Sequence, residues 1–280
     1  MRKGPESNKS AMESGFVSVD NGTLYYETEG QGHPLVLIHA GFLDRRMWDP
    51  QFNLFSKNYQ VIRYDVRGYG RSSKAQDKFS DIEDLHALLK HLHVDKAHII
   101  GVSNGGRIAI DFTTNYPSMV SALILVGAGV SGYQNTPEEA AVWKEFDRQM
   151  APQEDLVKQG KLAEAAMMDI DAWASAQDPE SRKKIVTIAL ENAHVPVDNP
   201  WKLQVSPDPP GYMRLAEIRA PTLVMVGDRD VKGMQLIATT IHSKIPDSKH
   251  LVVNGADHIV NTSRPDEFNR AVFDFLRGLH

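Results

Sequence analysis

Short apolar runs alternate along this chain with stretches of helical periodicity, and that alternation leaves few folds open. The runs fall at residues 35–39, 60–65, 97–101, 122–126, 222–227 and 250–253. Each is too short for a typical helix and rich in Val, Ile and Leu. Helical patterns lie between them, at 81–91, 105–116, 233–245 and 264–276. A strand covered on both faces reads as a nearly continuous apolar run. The expected fold is therefore α/β, a mostly parallel sheet with helices on both sides. An antiparallel pair at 15–20 and 23–29, joined by the turn dipeptide Asn21-Gly22, brings the expected strand count to eight.

One interval breaks the alternation. Between Gly127 and Ala220 nothing reads as a strand. Helical patterns cover 137–150, then 152–176 with a break at Gly160, then 179–193. A proline-rich stretch, from Pro196 to Pro210, leads back towards the sheet. The chain thus divides into an α/β core of residues 15–130 and 212–280 and an all-helical cap of residues 131–211, inserted after the sixth strand. Residues 1–14 read as a disordered polar tail. In the cap segment acids outnumber bases by about six, which is read as a solvated outer face.

The bulk numbers mainly exclude. A net charge of −5 argues against nucleic acid as a partner. No apolar run approaches the roughly 18 residues a membrane-spanning helix needs. The N-terminus lacks the apolar segment of a secretory signal, so a cytoplasmic protein is expected. The chain has no cysteine, which removes disulfides, thiolate metal sites and a cysteine nucleophile. His91 and His93 are the one pair suggesting a metal; no carboxylate pattern supports them, and a solvated helix end is the expectation.

Gly101-Val102-Ser103-Asn104-Gly105 sits where one of the apolar runs meets a helical one. A G-x-S-x-G sequence between strand and helix is the pattern of a nucleophile elbow, a sharp turn that lifts a serine hydroxyl above the sheet. Side chains at Gly101 or Gly105 would collide with the crossing helix or strand. A serine nucleophile needs a base, and the base needs an orienting acid. The run 222–227 leads into Asp228-Arg229-Asp230. Asp230 is the expected acid, since Asp228, nearer the strand, is better placed to close the turn. The run 250–253 leads to Asn254-Gly255-Ala256-Asp257-His258, and His258 is the expected base. Two backbone N–H groups should hold the oxyanion: that of Asn104, and that of Gly41 or Phe42 in the loop after the third strand. In the cap, Met167 and Trp173 are candidates, with Phe42, for lining a substrate pocket, although helical spacing equally suits core packing. His39 reads as a packed residue fixing the oxyanion loop, and Asp65 and Arg67 as structural.

Taken together, the segments 35–42, 63–72, 101–106, 221–230 and 255–258 resemble the α/β-hydrolase superfamily. The Arg63-Tyr64-Asp65-Val66-Arg67-Gly68 run and the segment 41–51 are similar to carboxylesterase and enol-lactonase-like members, including 3-oxoadipate enol-lactonases. The resemblance implies a helical cap, no cofactor, and hydrolysis of a small-molecule ester or lactone through an acyl-serine. The same site could serve perhydrolysis, acyl transfer or C–C bond hydrolysis. A reading of another class, a slow-turnover ligand receptor of the same fold, ranks below these. Oligomeric state is not read from the sequence.

Overall fold

The computed structural model describes residues 12–198 and 200–279. Most of the expected tail lies outside them, but Glu13 and Ser14 do not belong to a tail. They pair with Thr28 and Glu27 in the first strand. Eight strands form one sheet: β1 (Glu13–Val19), β2 (Gly22–Glu29), β3 (Pro34–Ile38), β4 (Gln60–Tyr64), β5 (Ala97–Val102), β6 (Val120–Val126), β7 (Thr222–Gly227) and β8 (Lys249–Val253). Their order is β1-β2-β4-β3-β5-β6-β7-β8. The β1–β2 and β2–β4 pairs are antiparallel and the remainder parallel. At the hairpin, Asn21 takes the positive φ of 55° while Gly22 already belongs to β2. Glycine is needed at 22 for closeness instead: a Cβ there would lie 2.4 Å from Arg67 Nη1.

The sheet alternation sorts side chains into two cores. Ile99 and Val36 face one, with Leu85 and Leu88 of α2 (Asp81–His91), Ile108 of α3 (Asn104–Asn115) and Ile237 of α9 (Lys232–Lys244). Ile100 and Leu37 face the other, with Phe52 of α1 (Asp49–Phe55), Val260 of α10 (Val260–Ser263) and Phe268 of α11 (Pro265–Arg277). Both faces of the central strands β3, β5, β6 and β7 are covered, which is why these carry nearly continuous apolar runs, while β1 and β8 at the edges are largely exposed. Helix ends follow local signals: Ser80 caps α2, whose first turn is acidic and last turn basic, and Pro265 opens α11.

Between β6 and β7 the chain is helical, with α4 (Pro137–Lys158), α5 (Leu162–Trp173), α6 (Pro179–Glu191) and the short α7 (Val195–Asp198) and α8 (Gly211–Arg214). A capping box between Thr136 and Glu139 starts α4, and Asp178 caps α6. The sequence placed a helix boundary at Pro152, but α4 runs through it to Lys158. The break comes at Gly160, whose φ of +74° no helical residue adopts. Ile170 of α5 with Ile185 and Ile188 of α6 join the second core, so this layer is packed onto the sheet domain.

Candidate active site

Backbone geometry sets the first part of the site. Ser103, between β5 and α3, has φ 55° and ψ −114°, a conformation costly for a residue with a Cβ. Its neighbours hold it there. Ser103 N–H donates to Val126 O at 2.9 Å, and Ser103 O accepts from Arg107 N–H and Gly129 N–H. A Cβ on Gly101 would lie 2.2 Å from Gly105 O, one on Gly105 2.3 Å from Ile38 O, and one on Gly106 2.4 Å from the Ala128 Cβ. Real Cβ atoms do not approach so closely. The three glycines therefore let β5, α3 and β3 close around the turn, as the motif predicts.

The second part comes from the ends of β7 and β8. His258 is 2% exposed, and its Nδ1 lies 2.9 and 3.0 Å from the two oxygens of the buried Asp230. Asp230 also accepts from Val231 N–H at 2.7 Å. Asp228, the alternative acid, is spent elsewhere, accepting from Gly255 N–H at 2.6 Å. The Gln235 side chain donates to the backbone oxygens of both aspartates and fixes the turn. Nδ1–H facing a carboxylate leaves Nε2 of His258 as the acceptor. This pair lies against the chain that holds Ser103: a Cβ on Gly127 would come within 2.9 Å of His258 Nδ1 and 3.0 Å of Asp230 Oδ2. Gly127 directly follows Val126, the residue bonded to Ser103 N–H.

The third part is the loop after β3. The N–H groups of Gly41, Phe42 and Asn104 have no hydrogen-bond partner among the described residues, whereas Leu43 N–H is committed to Ala40 O and Ala40 N–H to Met47 Sδ. Gly41 faces Asn104, its Cβ position 3.4 Å from the Asn104 Cβ. Arg107 Nε–H donates to Asn104 Oδ1 at 2.9 Å and turns that side chain aside. His39 is fully buried, with Nδ1 on Ala40 O and Nε2 accepting from Val66 N–H; burial, the largest influence, lowers its pKa. It is a neutral strut, as read from the sequence. Asp65 likewise holds Arg45 and the Arg71 N–H, and Arg67 pairs with Asp84.

The helical layer closes over these groups. The Trp173 ring lies 4.6 Å from the His258 ring, and Phe146 lies 4.8 Å beyond Trp173. Phe42 lines a pocket of about 410 Å³, its mouth included, together with Gly41, Ala165, Ala166, Asp169 and Asn192. Met167 packs half-buried against the second core, so it contributes to packing. Three residues that sequence reasoning passed over matter here. Asp257, beside His258 and 1% exposed, accepts from Ala176 N–H at 2.8 Å and from the Gln177 side chain at 2.9 Å. Asn192 donates to Asp44 Oδ2 and accepts from Gly70 N–H. Burial alone would raise Asp44, but bonds from Arg46 and Asn192 hold its carboxyl below the usual range. No periodicity or motif marks these residues, because each acts across a long sequence separation.

His91 contacts the Tyr26 hydroxyl at 3.3 Å. Among the described residues no group of three or more His, Asp or Glu is arranged to hold a metal ion, and no helix is long and apolar enough to cross a membrane.

Comparison with known proteins agrees with this architecture. The family described as the alpha/beta hydrolase fold matches residues 33–265. A pimeloyl-[acyl-carrier protein] methyl ester esterase of Aliivibrio salmonicida is 28% identical over 91% of this chain and 96% of its own. A 2-hydroxy-6-oxo-6-phenylhexa-2,4-dienoate hydrolase of Burkholderia cepacia is 28% identical over 94% and 96% of the two chains. A solved structure described as an N-acyl homoserine lactone degrading enzyme superposes with a TM-score of 0.72 at 26% identity, over 93% of this chain and all of that one.

Proposed function

Since the chain belongs to the alpha/beta hydrolase fold family, we propose that it is a serine hydrolase cleaving small carboxylic esters or lactones through an acyl-serine intermediate. One observation carries this reading. The hydrogen-bonded His258–Asp230 pair is packed against Gly127, on the strand end that fixes the strained Ser103.

In the proposed cycle Ser103 Oγ attacks the substrate carbonyl as His258 Nε2 takes its proton. Asp230 keeps the other ring nitrogen protonated and balances the imidazolium. The carbonyl oxygen becomes an oxyanion and receives N–H groups from Asn104 and from Gly41 or Phe42, a contribution of about 3 kcal/mol per donor. The ester C–O bond breaks and His258 returns its proton to the leaving alkoxide. Water then attacks the acyl-serine with His258 again as base, and Ser103 is regenerated. Every proton in this scheme moves between substrate, water and side chains of this chain.

The test is active-site labelling with a fluorophosphonate probe. The wild type should label at one residue, and Ser103→Ala should not label. Labelling that persists in the variant would refute the assignment. A substrate panel of aryl esters, lactones and a vinylogous diketone then fixes the bond cleaved. Turnover confined to the diketone would move the reading to C–C hydrolysis at the same site.

A further inference from the structure

The pocket between the oxyanion loop and the helical layer is walled by alanines, Ala165, Ala166 and Ala189, which leave room that larger residues would fill. Two polar side chains line it. Asn192 is already committed at both ends, to Asp44 and Ile188 O as donor and to Gly70 N–H as acceptor. Asp169 is not. Its carboxylate, partly exposed on the pocket wall, has about four acceptor positions and no hydrogen bond from a described residue fills them; the nearby Gln153 side chain on α4 donates to Ala165 O at 3.1 Å. It makes no ion pair among the described residues, and no Lys, Arg or His lines the pocket. Burial, its largest influence, raises its pKa to about 6.

A second polar group lies behind the pocket wall at Gly41. The Tyr69 hydroxyl is buried without a hydrogen-bond partner, on a side chain 2% exposed. It lies 3.8 Å from the Cβ position of Gly41, a residue of the pocket wall. Its pKa is raised chiefly by burial, with the Asp81 charge next and Asp169 the least of the influences. Unpaired buried polar groups are costly, each by about 1–3 kcal/mol, and native structures keep few of them. A partly exposed carboxylate on an alanine-walled pocket with no cation beside it marks a place where a ligand's donor completes the pairing.

We propose that this pocket selects substrates whose apolar portion ends in a hydrogen-bond donor, an ammonium or hydroxyl group, with Asp169 as its acceptor. The proposal rests on the ester-hydrolase reading and names the substrate class within it. A substrate ending in a carboxylate would face Asp169 across a low-dielectric gap with no cation to offset the repulsion. Asp169 is here a specificity residue, since it touches the far end of the substrate and takes no part in the bond cleaved.

Binding of six-carbon probes tests this without any turnover. Calorimetric titration of the Ser103→Ala protein at pH 8 compares n-hexylammonium, hexan-1-ol and hexane-1-sulfonate. The ammonium should bind at least about tenfold tighter than the sulfonate, equivalent to about 1.4 kcal/mol. At pH 5, with Asp169 protonated, the gap should narrow to about threefold or less. Asp169→Asn should remove it at pH 8 while hexan-1-ol binding changes by less than about threefold. Equal affinities for ammonium and sulfonate, a gap unchanged in Asp169→Asn, or no binding of any probe would overturn the proposal. Should the variant fold poorly, the pH 5 and pH 8 titrations still decide. Failure of the probes with fluorophosphonate labelling intact sinks the pocket assignment alone. Lost labelling with the ammonium preference intact sinks the hydrolase reading alone.

Discussion

The molecule holds Ser103, at the β5–α3 turn, and Asp169, on the wall of the pocket beside Gly41, by different means. Around Ser103 the constraint is backbone against backbone: β3, β5 and α3 approach so closely that only glycine fits at 101 and 105. Around Asp169 it is side chain against side chain, with alanine walls and no ion pair among the described residues. Backbone contact tolerates nothing, because neither partner can rotate away. A wall of small side chains tolerates a good deal. In the proposed reading, reaction chemistry sits on the rigid half, and the half that meets the variable end of a substrate sits on the adjustable one.

Five substitutions break or sharpen that contrast. The largest effect belongs to the hydroxyl itself. Ser103→Ala should lower kcat/KM on an aryl ester by about 10⁵-fold with an unchanged melting temperature, because residues of a triad act as a unit. A variant that retains a tenth of the activity would show that the rigid half does not carry the chemistry. Gly105→Ala drives a Cβ to 2.3 Å from Ile38 O. It should cost about 3 kcal/mol in urea denaturation and abolish activity, since the turn must open to relieve the clash.

Asp257→Ala comes next. It strips the acceptor from Ala176 N–H and from the Gln177 side chain, which tie the helical layer to the His258 loop. Leaving such donors buried and unpaired should cost about 2 kcal/mol by the same measurement. A loss below 0.5 kcal/mol, roughly the surface-substitution range, would mean that water replaces the contact.

Asp169→Asn should act in the opposite direction, and only in one pH range. Burial raises the folded-state pKa from 3.8 to about 6. The folded protein then holds this proton where the unfolded chain has lost it, so the carboxyl's destabilising contribution grows from pH 4 to pH 6 and is full above 6. Asparagine removes the charge at nearly the same side-chain volume. The variant should gain about 2 kcal/mol at pH 8 and nothing at pH 4, read from urea midpoints. Equal gains at both values would assign the effect to packing. The smallest effect is Gly160→Ala. No atom lies within 4 Å of the added Cβ, but φ is +74°, so the strain of about 1 kcal/mol is purely conformational. Set against Gly105→Ala, it separates backbone strain from collision within one chemical change.

The legibility of the site follows the same division. Glycine leaves a readable mark when it is obligatory, so the elbow at Gly101 to Gly105 could be seen between its strand and helix. Asp230 and His258 could be placed because each follows the carboxyl end of a parallel strand, the edge at which such a sheet builds its sites, although β8 proves to be a largely exposed edge strand, unlike the buried β7. Local chemistry was less reliable inside the helical layer. Pro152 argued for a boundary, yet α4 continues through it for another helical stretch to Lys158. Proline's missing donor and steric clash are local penalties, and α4 absorbs them without ending at Pro152.

Asp169 carried no signal at all. It is one acid in a segment rich in acids, and charge composition predicted a solvated face. Burial of Asn192 and Asp257, and the placing of Asp169 on a pocket wall, arise only when the α5–α6 layer lands on the loops after β3 and β8. Sequence alone determined the strand–helix rhythm, the strained serine turn and the chain order of serine, acid and base, because each is written in neighbouring residues. The tertiary structure decided which carboxylate meets which imidazole, what roofs the histidine and what a substrate finds beyond it. Those depend on distances between residues tens to hundreds of positions apart, and no local pattern encodes them.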